Sequence, residues 1–117
     1  MADSFHLANM VDELVELTLT LCGKDENKTL RFPKAFYDSY VSYIVSSAME
    51  IQKAVILANE SRDVNLRLKL QNNAESYCVL LNHQIRVAWS KGWISEKQRD
   101  RWQSLTTSIK WTIRRWK

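Results

Sequence analysis

RFPKAFYDSYVSYIVSSAMEIQKAVILAN, residues 31–59, is the stretch that decides the fold class. After Pro33, apolar residues recur at Tyr37, Val41, Ile44, Ala48, Ile51, Val55 and Ala58, in alternating steps of four and three that fall on one face of an α-helix. A half-buried strand would instead alternate in steps of two. The pattern is a bundle seam. Phe36, Tyr40 and Tyr43 make a second, aromatic stripe displaced from that seam, so this helix has apolar contacts to satisfy on more than its core side. Its end is expected around Asn59 to Ser61.

Working outward, the stretch before it, KDENKTLRFPK, is polar and reads as a loop that resets the direction of the chain. Upstream of the loop a first helix is expected from a cap at Asp3 or Ser4 to Cys22, closed by Gly23 as a left-handed cap. Phe5, Ala8, Val11, Leu14 or Val15, Thr18 and Leu21 would share its inner face, with Asp12, Glu13 and Glu16 outside. Downstream, a third helix from about Asn65 to Lys91 carries Leu66, Leu70, Ala74, Tyr77, Leu81, Ile85 and Ala88 at helical spacing. Its centre, Tyr77 to Leu81, is apolar all round, which in a bundle leaves one face exposed for association. A short buried strand is the competing reading of those five residues. Gly92 ends this helix, and Ser95 with Gln98 forms a capping box for a fourth, in which Trp102, Leu105, Ile109, Thr112 and Trp116 again alternate threes and fours.

Four one-sided helices on short connections predict an all-α fold, an antiparallel up-down-up-down four-helix bundle over residues 1–117 that oligomerises. Composition agrees: 117 residues with 45% hydrophobic content suffice for one domain with its own core, and two glycines and one proline are too few for a sheet protein. Cys22 and Cys78 sit among apolar neighbours and are expected to be reduced. No uninterrupted run of about 18 apolar residues and no basic leader are present, so the chain is expected to be cytoplasmic with no membrane association.

Charge is divided along the chain. Residues 1 to 61 hold five Lys+Arg against nine Asp+Glu, and residues 62 to 117 hold twelve against four, so a net +4 conceals halves of −4 and +8. Residues 84 to 117 contain nine Lys+Arg, two acids and all five tryptophans. Within the fourth helix Lys97, Arg101, Ser104, Ser108, Trp111 and Arg115 make a stripe opposite the core stripe, and Arg86, Lys91, Arg99, Lys110, Arg114 and Lys117 extend it. Cations neutralise phosphates and release counterions while aromatic rings stack on unpaired bases, so these ten cationic and aromatic residues are the expected nucleic-acid-binding set. A solvated basic face without a partner fits the same residues. Trp102 and Trp116 are accounted for by the core and Trp89 and Trp93 by packing at the helix junction, which leaves Trp111 as the stacker. The expected oligomer interface is Phe36, Tyr40 and Tyr43 together with Cys78, Val79 and Leu80.

Catalytic groupings are scarce in the sequence. His6 and His83 are isolated, without carboxylates or thiols at metal-ligand spacing, and no Gly-rich phosphate loop or nucleophile elbow appears. No enzyme activity, no cofactor and no metal are expected.

From Arg31 onward the chain resembles the accessory protein Avd of diversity-generating retroelements. The resemblance lies in RFPKAFYDSYVSYIVSSAMEIQKAVILAN, in the junction IRVAWSKGWISEKQ and in the terminal Trp116-Lys117. It implies a four-helix protomer in a homopentameric barrel, with a basic surface that binds RNA or DNA and engages a reverse transcriptase during mutagenic retrohoming. By position Arg86 matches the family's arginine at the end of its third helix, and Lys97 its basic residue before Gln98. The alternative is the four-helix protein encoded in ribosomal-RNA intervening sequences, a structural homo-oligomer, in which an Asn-Ile-Ala-Glu-Gly pattern is typical where this chain has Ile56-Leu57-Ala58-Asn59-Glu60.

Overall fold

The computed structural model describes residues 2–117, with side chains from His6 onward. Four helices carry the chain: α1 (Ala2–Leu21), α2 (Ser42–Glu60), α3 (Val64–Ser90) and α4 (Glu96–Trp116). α2 is preceded by a 3-10 turn, Lys34–Phe36, and a π-helical turn, Tyr37–Val41. Each helix packs on its neighbours in chain order and α4 closes on α1, whereas among the described residues the backbones of α1 and α3, and of α2 and α4, do not approach closely. The helices therefore form a ring around one core, and α2 and α4 lie on opposite sides of it. α3, roughly 40 Å long at 1.5 Å per residue, runs nearly the 45 Å length of the molecule.

The seam read from residues 37–58 is the core side of α2: Val41, Ile44, Ala48, Ile51, Val55 and Ala58 are buried, and Tyr37 packs against them. Leu14 rather than Val15 takes the inner position of α1, beside Leu7, Val11, Thr18 and Leu21. The expected cap at Asp3 or Ser4 and the inward Phe5 lie outside the described side chains, and the helical backbone already begins at Ala2.

Three expectations need correction. Gly23 is not a left-handed cap, since only Lys28 and Gly92 have positive φ among the described residues. A Cβ at Gly23 would sit 3.1 Å from the Leu19 carbonyl oxygen, so close backbone approach is what favours glycine there. On α3 the core face runs through Gln71, Ala74, Cys78, Leu81, Ile85 and Ala88, leaving Leu66 48% exposed and Leu70 half-buried. One face follows one register, and the small residues Ala74, Cys78 and Ala88, which allow close helix approach, fix it. On α4, Thr106 and Ile113 occupy the inner face where Leu105 and Trp116 were expected, and those two are half-buried at its edge.

The ends of the helices obey local chemistry. Gly92, at φ 78°, completes a Schellman close: its N–H donates to the Trp89 carbonyl at 2.9 Å, and that of Trp93 to the Ala88 carbonyl at 3.0 Å. Asp63 caps α3 by accepting the N–H groups of Asn65 and Leu66. The Ser95–Gln98 capping box is formed in both directions, at 3.1 and 2.9 Å. In the loop after α1, the Asp25 carboxylate accepts from the N–H groups of Asn27 and Thr29, so this polar stretch is closed by its own turn chemistry.

Among the described residues one helical stretch, Lys34–Glu60, is long and apolar enough by composition to cross a membrane, and 44% of its most apolar window is buried in the bundle. Tyr77 to Leu81 is helical throughout, which removes the strand reading.

Candidate nucleic-acid interface

α4 is held in one rotational setting. Its buried Trp102 indole N–H donates to Thr18 Oγ1 of α1 at 3.0 Å, and on the other side Gln103 Nε2 donates to the Asn82 carbonyl of α3 at 3.1 Å. With Trp102, Ile109 and Ile113 turned inward, Lys97, Arg101, Ser104, Ser108, Trp111 and Arg115 are all exposed. The stripe expected from the sequence thus faces solvent as a unit.

The ten expected binding residues divide by what they already touch. Arg99 pairs with Asp100 at 2.8 Å and Glu96 at 3.4 Å, and its guanidinium lies 4.1 Å from the centre of the Trp89 ring. Arg114 and Lys117 both bind the Glu75 carboxylate, Arg114 at 2.6 Å. Those three cations are engaged by carboxylates within the protomer, with Glu75 balancing one of the two charges it binds. Lys91, Lys97, Arg101, Lys110 and Arg115 make no ion pair among the described residues, and Arg115 donates only to Thr112 Oγ1. Arg86 Nη2 lies 2.6 Å from His83 Nδ1, and because a guanidinium carries only donors the ring nitrogen is the acceptor of that contact.

Position divides them again. Arg115 and Trp111 border a groove of about 470 Å³ that reaches across to His6 and Met10 of α1. Arg86 and Lys110 border a smaller groove between α3 and α4. Lys91 lies elsewhere, at an apolar groove of about 480 Å³ with Phe36, Tyr40, Tyr43, Val87 and Trp93, on the α2 side of α3. It does not extend the α4 stripe.

Trp111 is 47% exposed, as a stacking residue must be, but Arg114 lies 4.7 Å and Lys110 5.2 Å from its ring centre. Both cations thus already lie against the ring. Trp89, assigned to packing by the sequence, is 40% exposed beneath Arg99. Trp93 does pack at the junction, with its ring 5.5 Å from Phe32 and 5.2 Å from Phe36.

The residues expected to associate are also redistributed. Phe36 and Tyr43 are exposed and Tyr40 half-buried around the apolar groove, where the Tyr40 hydroxyl donates to the Gln84 carbonyl at 3.3 Å. Leu80 is half-buried and lies two turns before Val87, on that same side of α3. Val79 points about 100° round the helix from Leu80, into the groove with Arg86. Cys78 is fully buried in the protomer core and offers nothing to a partner. Three consecutive helical residues point about 100° apart, so they cannot make one patch.

Ionisation follows this packing. Burial pushes the Cys22 and Cys78 thiols up to about 12, so both are inert neutral groups at physiological pH. Burial also raises the Tyr37 and Tyr40 hydroxyls. At Glu75 the Lys117 ammonium, joined by Arg114, holds the carboxyl below its ordinary value against the opposing effect of burial. Among the described residues no three His, Cys, Asp or Glu side chains are grouped to hold a metal ion.

Sequence reading missed Asn82 and Gln103, which with His83 wall the α3–α4 groove. The His83-x-x-Arg86 spacing was its only visible trace. Comparisons of the chain with protein-family models, with curated proteins and with solved structures find no match. Fold and site together define a class, an all-helical four-helix protein with an exposed basic row on its last helix.

Because the native-state carboxyl of Glu75 titrates below its unfolded value, its contribution to stability is complete above the ordinary carboxylate range and lost as pH falls through the native value. Glu75→Gln is expected to cost about 1 kcal/mol at neutral pH, the scale of two part-exposed ion pairs. Urea titration is expected to show that difference at pH 7 and none at strongly acidic pH.

Proposed function

We propose that the protein is a non-catalytic accessory subunit that binds RNA or DNA through the α4 face and assembles with copies of itself through the α2 side. The observation that carries the reading is the exposed row of Lys97, Arg101 and Arg115, which has no acidic partner among the described residues. Free cations in a row attract a phosphate backbone by counterion release, whereas cations already paired add little. The separation of α2 from α4 across the ring supports the division of labour. On α2 and the adjoining part of α3, the apolar side chains Tyr43, Met49, Ile56, Leu57, Leu66 and Val87 are left 43–52% accessible. That is the kind of surface a partner covers.

We infer the finer architecture from paired contacts. Tyr40 meets Gln84 while Leu57 and Leu70 border one groove; Gln103 meets Asn82 while Lys117 meets Glu75; Trp102 meets Thr18 while Arg115 borders a groove with His6. In each helix pair one number rises as the other falls, which supports an antiparallel up-down-up-down bundle. Pentameric assembly and a reverse-transcriptase partner of the Avd kind rest on the sequence resemblance. A second reading, a structural oligomer with a merely solvated basic face, is favoured by one specific observation: Arg99, Arg114 and Lys117 are already bound to carboxylates.

Changing Arg86, Lys97 and Arg101 together to Ala is expected to weaken binding to duplex or structured RNA. The slope of log K against log salt should become shallower by about 0.9 for each phosphate that is no longer neutralised. Unaltered affinity and slope would reject this face. Light scattering at micromolar concentration is expected to give a multi-subunit mass, reduced by Tyr43→Asp, and a monomeric wild-type protein would remove the assembly. A reverse-transcriptase gene with a template repeat is expected beside the coding gene; another context would remove that partner.

A further inference from the structure

We propose that the groove between α3 and α4 seats one unpaired nucleotide of a folded nucleic-acid strand, its base in the cleft beside Asn82 and its phosphate between Arg86 and Lys110. The inference rests on the nucleic-acid reading above and adds to it what the surface selects. The groove, about 220 Å³, is lined by Val79, Asn82, His83, Arg86, Gln103 and Lys110. It lies below the roughly 300–1,000 Å³ of sites that enclose drug-sized ligands, so it has room for a single base rather than a stacked run or a duplex edge.

Its chemistry is mixed in the way a nucleotide requires. Arg86 and Lys110 supply two cations, no carboxylate lines the walls, and neither cation is held in an ion pair among the described residues. Val79 is 44% exposed and gives an apolar wall for a base face. Asn82 spends its amide N–H on Thr107 Oγ1 at 3.2 Å and its backbone carbonyl on Gln103, while its side-chain Oδ1 is buried with no donor. An acceptor without a donor, enclosed behind the wall of a groove, is a costly arrangement that a ligand N–H relieves once the wall side chains move aside. Adenine and cytosine present such an N–H beside a ring acceptor. A bare anion satisfies the two cations and leaves Oδ1 unpaired. A base enters by displacing the long side chains of Arg86 and Lys110, which no acid holds in place.

The test uses three hairpin RNAs: one with a single bulged adenosine, one fully paired, and one with an abasic nucleotide at the bulge. The native protein is expected to bind the first about tenfold more tightly than the other two, the scale of one stacked base. Val79→Phe, which fills the cleft from an exposed position without changing charge, is expected to abolish that preference while leaving affinity for the paired hairpin unchanged. Val79→Met serves the same purpose if the larger variant melts early. Equal binding of all three hairpins by the native protein overturns the pocket and leaves nucleic-acid binding standing. Equal binding of the bulged and abasic hairpins, both above the paired one, assigns the preference to backbone flexibility and also overturns it. Binding of none rejects the underlying nucleic-acid reading. Competition by millimolar AMP as effective as by the bulged hairpin overturns the strand as the source in favour of a free nucleotide.

Discussion

α4 can present a basic face only because its rotation about its own axis is fixed from inside. Trp102 is the largest side chain wholly enclosed by the bundle, and its indole N–H needs a partner once water is gone. Thr18 supplies that partner from α1, and this bond closes the ring of helices between its first and last members. The pair does two things at once: it removes the penalty of a buried donor and excludes other rotations of α4. With that rotation set, residues at three- and four-residue spacing on the far side of the helix, Lys97, Arg101 and Arg115, have nowhere to go but outward.

The opposite side of the ring shows the complementary logic. α2 and its leading turn supply six buried seam residues and still expose Tyr43, Met49, Ile56 and Leu57, so this side is apolar beyond what one protomer can cover. The π-helical turn at Tyr37–Val41 widens the helix where the aromatic residues begin, and Tyr37 and Tyr40 there turn their hydroxyls to backbone carbonyls of neighbouring segments. The exposed apolar side chains of α2 thus lie across the core from the cation row of α4, while Lys91 sits at the apolar groove itself. A bundle with both on one helix would set the association of copies against the approach of a polyanion.

Within the basic half, charge count and available charge differ. Glu75, on α3, is shared by Arg114 and Lys117 from the end of α4 and balances one of their two charges, and Glu96 and Asp100 pair with Arg99. Glu75 ties the end of α4 to α3, whereas the Glu96 and Asp100 pairs are local to α4, so a part of the positive charge serves the fold. Of the ten expected residues, Lys97, Arg101 and Arg115 of the row, the two cations of the α3–α4 groove, and Lys91 at the apolar groove stay outside any ion pair among the described residues.

Much of this was legible in the chain itself. The seam of α2, the capping box at Ser95, the stop of α3 at Gly92 and the outward stripe of α4 depend on spacing along one helix, and spacing is a property of sequence. Tertiary structure alone decided the rest, because it depends on which helix stands next to which. Leu66 was displaced from the core by a register set by small residues further along α3. Cys78, Val79 and Leu80, adjacent in sequence, were sent to the core, the basic groove and the apolar side. Glu75 met Arg114 across a gap of thirty-nine residues, and the Asn82 acceptor was left without a donor only once α4 had been packed against it.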